Sequence, residues 1–442
     1  GVLSGCRVRC PWHGSCFNVK TGDLEEYPGI DCLPCHKTKS NYESCRMWKT
    51  LSVQIRGQPK RVKWMGVRDQ SVSHTVMLLG GGAACLMCAE TLRQENYGGR
   101  IIMVSRDDLL PYDKTRLSKV SHKIWEILFI ILVLLKKNIC SKNRLRKHIT
   151  ASLFYRAKGL DCPGANLERV LMLETPEDAR CVHYACTGCR TVIVGTSFIG
   201  MQVTAYLLDT SSSMTVIGSS ELPYQKTLGR EIGKVTMTML EEKGVTFYMN
   251  DAVAEVQGKN RRVKAVKLKS GITIEADLLI VAIGVSPNSE FLKGSRVRMD
   301  SKNYVIVDEY MRTNITDVYC AGDLTSFPLK MAKGQKVSLG HWQIAQAHGR
   351  IAALNMLCRE VELNTVPYYW TVLFGRTIRY AGYGEGYTEM VLKGKFENMK
   401  FLALYLKDGE VVAAAGLNVE PAVSVVAERL AEGRVITKAE AE

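Results

Sequence analysis

Two short apolar runs, each closed by glycines and followed by a helix-forming stretch, constrain the fold of this chain more than any other feature. One lies in residues 75–85 and turns at Gly80, and the other lies in residues 191–200 and turns at Gly195. Such a strand–turn–helix unit can bind a pyrophosphate, because glycines allow close backbone approach and the helix N-terminus supplies N–H donors. One unit alone is weak evidence, since an ordinary tight turn between a strand and a helix can have the same sequence pattern. Two units, 115 residues apart, predict two dinucleotides, one passing hydride to the other, usually a flavin and a nicotinamide.

Two further apolar segments have the character of buried strands. Residues 277–284 end in Gly284, and residues 317–323 end in a Gly-Asp pair. Short apolar runs bounded by glycine predict strands of a parallel sheet. Residues 366–435 alternate in polarity and then become helical, which is typical of a separate α+β domain. The sequence therefore predicts an α/β protein with doubly wound nucleotide-binding domains and an α+β C-terminal domain.

The charge of the chain is concentrated in two places. The net charge of the 442 residues is +15, and residues 37–68 and 136–158 each carry a net +8, so the remainder is close to neutral. A nucleic-acid-binding protein of this size would be expected to spread basic residues over a binding face. We therefore expect no nucleic-acid partner, and we interpret the stretch 136–158 as a solvated face or a disordered insert.

The cysteines and the apolar runs indicate where such a chain operates. Fifteen scattered cysteines in a chain long enough to build its core without disulfides favour a reducing compartment, such as the mitochondrion or cytoplasm. The longest apolar run, residues 127–135, is too short to cross a bilayer, which takes about 20 residues. Residue 1 is glycine, so we expect the natural N-terminus to lie upstream.

Several motifs give a more specific indication. Residues 110–113 with 117–119, the Ala-Gly-Asp at 321–323, the His-Trp at 341–342 and the aromatic segment 366–370 resemble the ferredoxin-reductase and apoptosis-inducing-factor family. That resemblance implies FAD at the first turn and NAD(P)H at the second, in domains inserted one into the other. It also implies that hydride passes from NAD(P)H to flavin, and that electrons then leave for an iron–sulfur centre or an unknown acceptor.

The resemblance also assigns residues to the two cofactors. Those expected at FAD are Gly80, Gly82, Ala83, Asp107, Lys114, Lys119, Gly322, Asp323, Trp342 and Trp370. Those expected at the nicotinamide dinucleotide are Gly195, Ser197, Gly200 and Gly284. The expected catalytic pair beside the flavin is Lys119 and Gln202.

The chain departs from the family pattern at several of these places. Cys85 replaces the third glycine of the first turn, and Ser197 replaces the second glycine of the second turn. Gln202 replaces an acid that pairs with the lysine at Lys119, and Gly218 replaces the acid that would accept ribose hydroxyls. NAD and NADP therefore cannot be distinguished by the family pattern.

The N-terminal segment carries a possible metal site. Cys10 and His13 lie in a Cys-x-x-His box that resembles the second ligand box of a Rieske [2Fe–2S] domain, which needs two cysteines and two histidines. The chain thus holds half of the ligands, and we expect the other box before residue 1. Two alternatives remain, structural zinc held together with Cys32 and Cys35 and a haem attachment at residues 32–36. We interpret the Cys-x-x-Cys at residues 186–189 as structural, since it precedes a strand rather than opening a helix.

These observations divide the chain into regions, with one stretch, residues 120–158, that lacks any FAD-domain pattern. We hypothesise that this stretch replaces part of the domain through splicing or a gene-model error. The expected regions are a partial β-rich Rieske domain (1–58), a linker (59–74), the first part of an FAD-binding domain (75–189), an NAD(P)-binding domain (190–312), the second part of the FAD-binding domain (313–362) and a C-terminal reductase domain (363–442).

Two functions of different classes fit the sequence. The first is an FAD-dependent NAD(P)H oxidoreductase. The second is a reductase scaffold that has lost efficient turnover and acts as a pro-apoptotic signalling or interaction protein. The substitutions at Cys85, Ser197, Gln202 and Gly218 are compatible with the second. The sequence leaves the electron acceptor and the oligomeric state open.

Overall fold

The computed structural model describes residues 1–37, 54–56, 64–106, 109–118, 149–151 and 155–442. The expected residues Asp107 and Lys119, the linker up to residue 63 and the apolar run 127–135 lie outside the described residues. No helix in these described ranges is long and apolar enough to span a membrane.

The helices and strands are named in chain order. The strands up to the second glycine turn are β1 Val2–Ser4, β2 Arg7–Arg9, β3 Cys16–Asn18, β4 Leu24–Glu26, β5 Cys35–Lys37, β6 Gln54–Arg56, β7 Thr75–Leu79, β8 Arg100–Val104, β9 Ile149–Ala151, β10 Tyr155–Ala157, β11 Val170–Leu171 and β12 Arg190–Val194. The later strands are β13 Ser213–Gly218, β14 Val245–Met249, β15 Val253–Lys259, β16 Arg262–Leu268, β17 Thr273–Glu275, β18 Leu278–Val281, β19 Val285–Pro287, β20 Val305–Ile306, β21 Val318–Cys320, β22 Thr325–Leu329, β23 Gln335–Val337, β24 Tyr368–Leu373, β25 Arg376–Gly382, β26 Glu389–Lys395, β27 Lys400–Lys407 and β28 Glu410–Leu417. The α-helices are α1 Ala83–Gln94, α2 Pro176–Ala185, α3 Phe198–Leu207, α4 Gln225–Glu241, α5 Trp342–Met356, α6 Ala422–Ala431 and α7 Lys438–Ala441.

The first nucleotide-binding domain is built on a parallel sheet of order β21-β9-β7-β8. Helices α1 and α5 pack against each other so closely that a Cβ on Gly349 would lie 2.1 Å from the carbonyl oxygen of Ala84. Cys85 is fully buried in the same core, and its Sγ lies 3.5 Å from the Leu79 carbonyl oxygen. The side chain at the third glycine position is therefore accommodated without opening the turn.

The end of the stretch that lacks a family pattern belongs to this sheet. Residues 149–151 form β9, which lies between β7 and β21 and pairs with both in parallel. Residues 155–157 form β10, which pairs with β19 in an antiparallel ribbon. The divergent stretch is therefore shorter than the sequence indicated, and the described sheet has its central strand.

The second nucleotide-binding domain has a parallel sheet of order β11-β18-β12-β13-β14. In β12, residues 191–194 are all buried, as expected of a parallel strand covered on both faces. An antiparallel sheet of β15, β16 and β17 follows β14, and the chain then returns through β21 to the first sheet. The second domain is thus inserted in the first, as the resemblance implied.

The C-terminal residues form a separate α+β unit. Its sheet is antiparallel, in the order β24-β25-β28-β27-β26, and α6 packs its apolar face through Val423 and Val426. The expected helix at residues 422–430 is thus confirmed as α6. At the other end of the chain, β1 to β4 form a small antiparallel sheet. Tyr27, just after β4, is buried in the core of the first nucleotide-binding domain.

Candidate functional site

The first glycine turn has the backbone geometry of a pyrophosphate site. Gly80 has φ +114°, a conformation that side chains rarely adopt. A Cβ on Gly81 would lie 2.8 Å from the Ser105 Oγ. Gly82 is the N-cap of α1 and Ala83 is its first residue, and among the described residues no side chain caps this terminus. The N–H groups of the first helical turn therefore remain suited to an anionic ligand.

Asp323 follows β21, a strand of the same sheet as β7 but separated from it by β9. Its Oδ1 is buried without a hydrogen-bond partner among the described residues, although the residue as a whole is half-buried. Burial raises the pKa of Asp323 to about 7, against the opposing effects of the His341 backbone N–H and the positive charge of Lys114. A buried oxygen of this kind needs a donor. The ribityl hydroxyls of FAD are such donors, so the residues present fit the cofactor.

The loop that carries Asp323 is held in place by a buried histidine. Gly322 has φ +83°, and its N–H donates to Nδ1 of His348 over 3.2 Å. Burial lowers the pKa of His348 to about 3, so the ring is neutral and can accept this bond. Sequence reasoning missed His348, because nothing in its surroundings distinguishes it from an ordinary helix residue.

Lys114 and the N-terminus of α5 both lie near Asp323. The Lys114 Nζ donates to the Glu174 carbonyl oxygen over 3.3 Å and lies close enough to Asp323 to lower its pKa. His341 is the N-cap of α5, and its Nδ1 accepts from the Gln343 N–H over 3.3 Å. Trp342 is the first residue of the helix and is half-buried. The positive end of the α5 dipole would stabilise negative charge beside the helix start.

The second glycine turn is equally tight. Gly195 has φ +118°, and a Cβ there would lie 2.1 Å from the Ala282 carbonyl oxygen. A Cβ on Gly200 would lie 2.0 Å from the Gly195 carbonyl oxygen. Ser197 is the exposed N-cap of α3 in an extended conformation that any residue adopts. Serine is therefore tolerated there, and the exposed Gly284 (φ +97°) follows β18 nearby in the sequence.

Gln202 lies in a buried polar network that joins three parts of the chain. Its Oε1 accepts from the Ser118 Oγ over 2.7 Å, and its Nε2 donates to the Thr371 Oγ1 over 3.1 Å. The Tyr224 hydroxyl lies 3.1 Å from the same Thr371 oxygen. Hydroxyl groups thus satisfy both ends of the Gln202 amide. One of these hydroxyls belongs to Ser118, which directly precedes Lys119, the expected partner of Gln202. Gln202 is itself neutral, and Lys119, the expected partner of the acid that it replaces, lies outside the described residues.

Cys10 and His13 lie in a tight turn of the N-terminal sheet. The Gly14 N–H donates to the Cys10 carbonyl oxygen over 3.1 Å, and the Cys10 N–H donates to the Ser15 carbonyl oxygen over 2.8 Å. Among the described residues, no three His, Cys, Asp or Glu side chains are grouped to hold a metal ion. The assignment of Cys10 and His13 as two of the four Rieske ligands stays a prediction, and so do the zinc and haem alternatives.

The His13 turn lies against the C-terminal domain. The His13 ring centroid lies 4.7 Å from that of Trp370, and Trp370 lies 5.7 Å from the His341 ring. Arg379 donates to the Trp12 carbonyl oxygen over 3.1 Å. The half-ligand site is therefore in contact, through Trp370, with the residue that caps α5.

A buried ion-pair cluster fixes this arrangement. Arg9 is fully buried, and it pairs with Glu26 at 2.8 Å and with Glu428 of α6 at 2.5 Å. Its NH1 also donates to the Gly14 carbonyl oxygen over 3.0 Å. Because the partners are far apart in the sequence, no local pattern could have indicated this cluster. Buried charges joined in this way hold the two domains in one relative position.

Known protein families match most of the chain. Pyridine nucleotide-disulphide oxidoreductase matches residues 151–349, the reductase C-terminal family matches residues 368–442, and the Rieske [2Fe-2S] domain matches residues 1–37. The cysteines whose side chains the structure describes form no disulfide bond with one another.

Individual relatives agree with these matches. Apoptosis-inducing factor 3 of Homo sapiens is 40% identical, over all of this chain and 77% of the relative. The benzene 1,2-dioxygenase system ferredoxin–NAD(+) reductase subunit of Pseudomonas putida is 27% identical, over 84% of this chain and 95% of the relative. The crystal structure of a ferredoxin reductase from Rhodopseudomonas palustris has the same fold, with a TM-score of 0.75 at 22% identity, over 84% of this chain and 97% of that one.

The two glycine turns, the unpartnered carboxyl of Asp323 and the Cys10–His13 box fit FAD, a nicotinamide dinucleotide and half of a [2Fe–2S] site. These features, together with the extent of the match to its relatives, lead to one conclusion. The chain belongs to the apoptosis-inducing factor 3 family, and it is an FAD-dependent NAD(P)H oxidoreductase with a Rieske domain at residues 1–37.

Proposed function

We propose that this protein passes electrons from NAD(P)H through FAD to the Rieske iron–sulfur centre of the same chain, and from there to a further acceptor. The observation that carries the proposal is the 4.7 Å contact between His13 and Trp370. The Arg9 cluster holds this contact in place. Because this Rieske centre belongs to the same chain and is held in a fixed orientation, electron transfer to it would not depend on diffusional encounter.

The chain's own residues have separate roles in this proposal. Asp323 binds the ribityl chain, and the α5 N-terminus beside His341 stabilises negative charge on the reduced flavin. Gln202 is a positioning residue, because its bonds to Ser118 and Thr371 connect the segment before Lys119 to α3 and the C-terminal domain. FAD, when bound, supplies the step from two-electron hydride chemistry to single-electron transfer.

Trp370 has the position of a bridge between the two redox sites. It is half-buried in β24 and makes ring contacts to His13 on one side and His341 on the other. Because His13 covers it, an external protein would meet the Rieske domain before it met Trp370. We therefore propose that the external acceptor binds to the Rieske domain. The names of several relatives, such as ferredoxin–NAD(+) reductase, suggest an iron–sulfur protein as that acceptor.

The finer biological assignment is also a proposal. The name of the relative, apoptosis-inducing factor 3, suggests a link to programmed cell death, and we propose the mitochondrion or cytoplasm as its location. A catalytically weakened signalling protein remains the alternative, favoured only by the replacement of the ribose-binding acid at Gly218. We retain the division into a Rieske domain, two nucleotide-binding domains and a C-terminal domain at the boundaries given above.

The proposed electron-transfer route is tested with protein expressed from the full-length transcript and loaded with FAD and the iron–sulfur cluster. NADPH is added anaerobically, and flavin absorbance is followed together with the electron paramagnetic resonance signal of the reduced cluster. We expect Trp370→Ala to slow the cluster signal about tenfold relative to the flavin bleaching of the same protein, a change of about 1.4 kcal/mol in the barrier. The matched control is Val372→Ala, an exposed position on the same strand. Bleaching without a cluster signal in the wild type would overturn the route.

A further inference from the structure

The nicotinamide site lacks the group that normally recognises NADH. In such domains an acid at the end of the second strand accepts hydrogen bonds from the adenosine ribose hydroxyls. Here β13 ends in Gly218, which is buried. A Cβ at this position would lie 2.7 Å from the Thr196 Cγ2 and 2.9 Å from the Met249 Sδ. A carboxylate could not be placed there without displacing both neighbours.

The residues after Gly218 present hydroxyl groups in place of the acid. Ser219 is exposed and Ser220 is half-buried. Two bonds from the next strand end hold this loop, since the Asp251 N–H donates to the Gly218 carbonyl oxygen and the Asn250 N–H donates to that of Ser220, over 3.1 and 3.0 Å. The hydroxyls therefore stand on a fixed backbone at the place where the ribose of a bound dinucleotide is expected.

The carboxylates next to this loop are already engaged. Glu221 forms a bidentate pair with Arg230 at 2.5 and 2.6 Å, which lowers the pKa of Glu221. The Asp251 Oδ1 accepts from the Ala252 and Ser270 N–H groups over 2.7 and 3.4 Å. Arg230 uses its two terminal nitrogens for Glu221, and a guanidinium has five N–H donors in all. The surface beside the loop thus combines the serine hydroxyls with the Glu221–Arg230 ion pair, and both acids next to the loop already have partners.

We propose that this site takes NADPH in preference to NADH, with the 2′-phosphate at Ser219 and Ser220 and with Arg230 supplying positive charge. A phosphate dianion would be repelled by the acid that other members of the fold place here, and this chain removes that repulsion. The proposal rests on the proposed function only in assuming a nicotinamide nucleotide as the donor. It names which of the two nucleotides the chain uses.

Binding of two adenosine fragments tests the proposal without turnover. Adenosine 2′,5′-bisphosphate and 5′-AMP differ only in the 2′-phosphate, and each is titrated calorimetrically into the flavin-loaded full chain. We expect the bisphosphate to bind at least tenfold more tightly. Ser219→Asp should abolish that preference, because it restores a carboxylate beside the ribose. The matched control is Ser213→Asp, an exposed serine at the opposite end of the same strand, which should leave the preference unchanged.

A second variant keeps the test independent of the loop's own folding. Arg230→Gln removes the cation and frees Glu221, so the bisphosphate should lose three- to tenfold in affinity while 5′-AMP is hardly affected. Equal or tighter binding of 5′-AMP by the wild type would overturn the NADPH proposal and leave the reductase function standing. Failure of both fragments to bind would overturn this proposal and the nicotinamide site together. Flavin bleaching by NADH with no effect of Ser219→Asp would overturn this proposal alone.

Discussion

The two glycine turns share one backbone geometry but differ in what faces them. Gly80 and Gly195 have φ of +114° and +118°, and each turn opens a helix that lacks a side-chain cap among the described residues. The first domain also holds Asp323 after β21, a carboxyl whose Oδ1 is buried and has no hydrogen-bond partner among the described residues. In the second domain, Gly218 at the end of β13 lies against the turn at Thr196 and is followed by an exposed serine. The turn marks a dinucleotide site, and the groups placed around it by other strand ends decide which dinucleotide it takes.

Replacing the carboxyl of the first site should have the largest effect. Asp323→Leu removes the acceptor for the ribityl hydroxyls and leaves those hydroxyls facing an apolar side chain. A charged hydrogen bond of this kind contributes about 1.5–3 kcal/mol, so we expect FAD affinity to fall about a hundredfold. Flavin content after gel filtration and fluorescence titration of flavin-free protein measure this. Asp408→Asn, at an exposed turn far from the site, is the control. Unchanged flavin content in Asp323→Leu would contradict the assignment.

Crowding the second turn should affect nucleotide binding without affecting flavin. Gly195→Ala forces a side chain at positive φ and against the Ala282 carbonyl oxygen, 2.1 Å away. Gly284→Ala forces only the positive φ, since nothing lies within 4 Å of a Cβ there. The conformational part costs about 1–2 kcal/mol, so the excess loss of urea stability in Gly195→Ala measures the close approach. Equal losses in both variants would show that the tight turn is not required.

The pH dependence of the unfolding free energy should show a smaller effect than these substitutions. In flavin-free protein the pKa of Asp323 is raised to about 7, so the folded state holds a proton that the unfolded state loses near pH 4. The Asp323 contribution to stability is therefore complete below about pH 4 and falls as pH rises to about 7. His348, with its pKa lowered to about 3, acts in the opposite sense at pH 3–6.5.

The comparison with Asp323→Asn isolates the aspartate, because His348 is common to both proteins and cancels in the difference. We expect the stability of the wild type minus that of the variant to decrease between pH 4 and 7 and to level off above. Urea unfolding of the two flavin-free proteins at pH 4.5, 6 and 7.5 measures it. A difference that does not change with pH would mean that Asp323 is ionised throughout.

Local features of the fold were predictable, whereas long-range ones were not. The strands at residues 75–79 and 278–281 and the helix α6 follow from apolar runs and periodicity, because those patterns reflect burial on one or both faces. Strand β9 was missed, because three residues within a basic stretch carry no recognisable period. The Arg9–Glu428 pair was missed because the two residues meet only when α6 packs against the N-terminal sheet.

The candidate site divides in the same way. The glycines were predicted because the turn requires a positive φ. Asp323 was predicted because the Gly-Asp pair is a recognisable sequence motif. The environment of Gln202 was not, because its partners Ser118 and Thr371 lie on other elements. The loss of an ionic contact between Gln202 and Lys119 stays a prediction, because Lys119 lies outside the described residues, while the Gln202 amide is hydrogen-bonded to two hydroxyl groups.

One measurement tests the central claim that the two sites hold two nucleotides in contact for hydride transfer. The purified full chain is loaded with FAD and titrated anaerobically with NADPH while its flavin absorbance is recorded. The account predicts a yellow protein whose absorbance near 450 nm, the usual flavin band, bleaches with about one equivalent of NADPH. A protein that binds FAD but is not bleached by NADPH or NADH would contradict the account and favour the signalling scaffold.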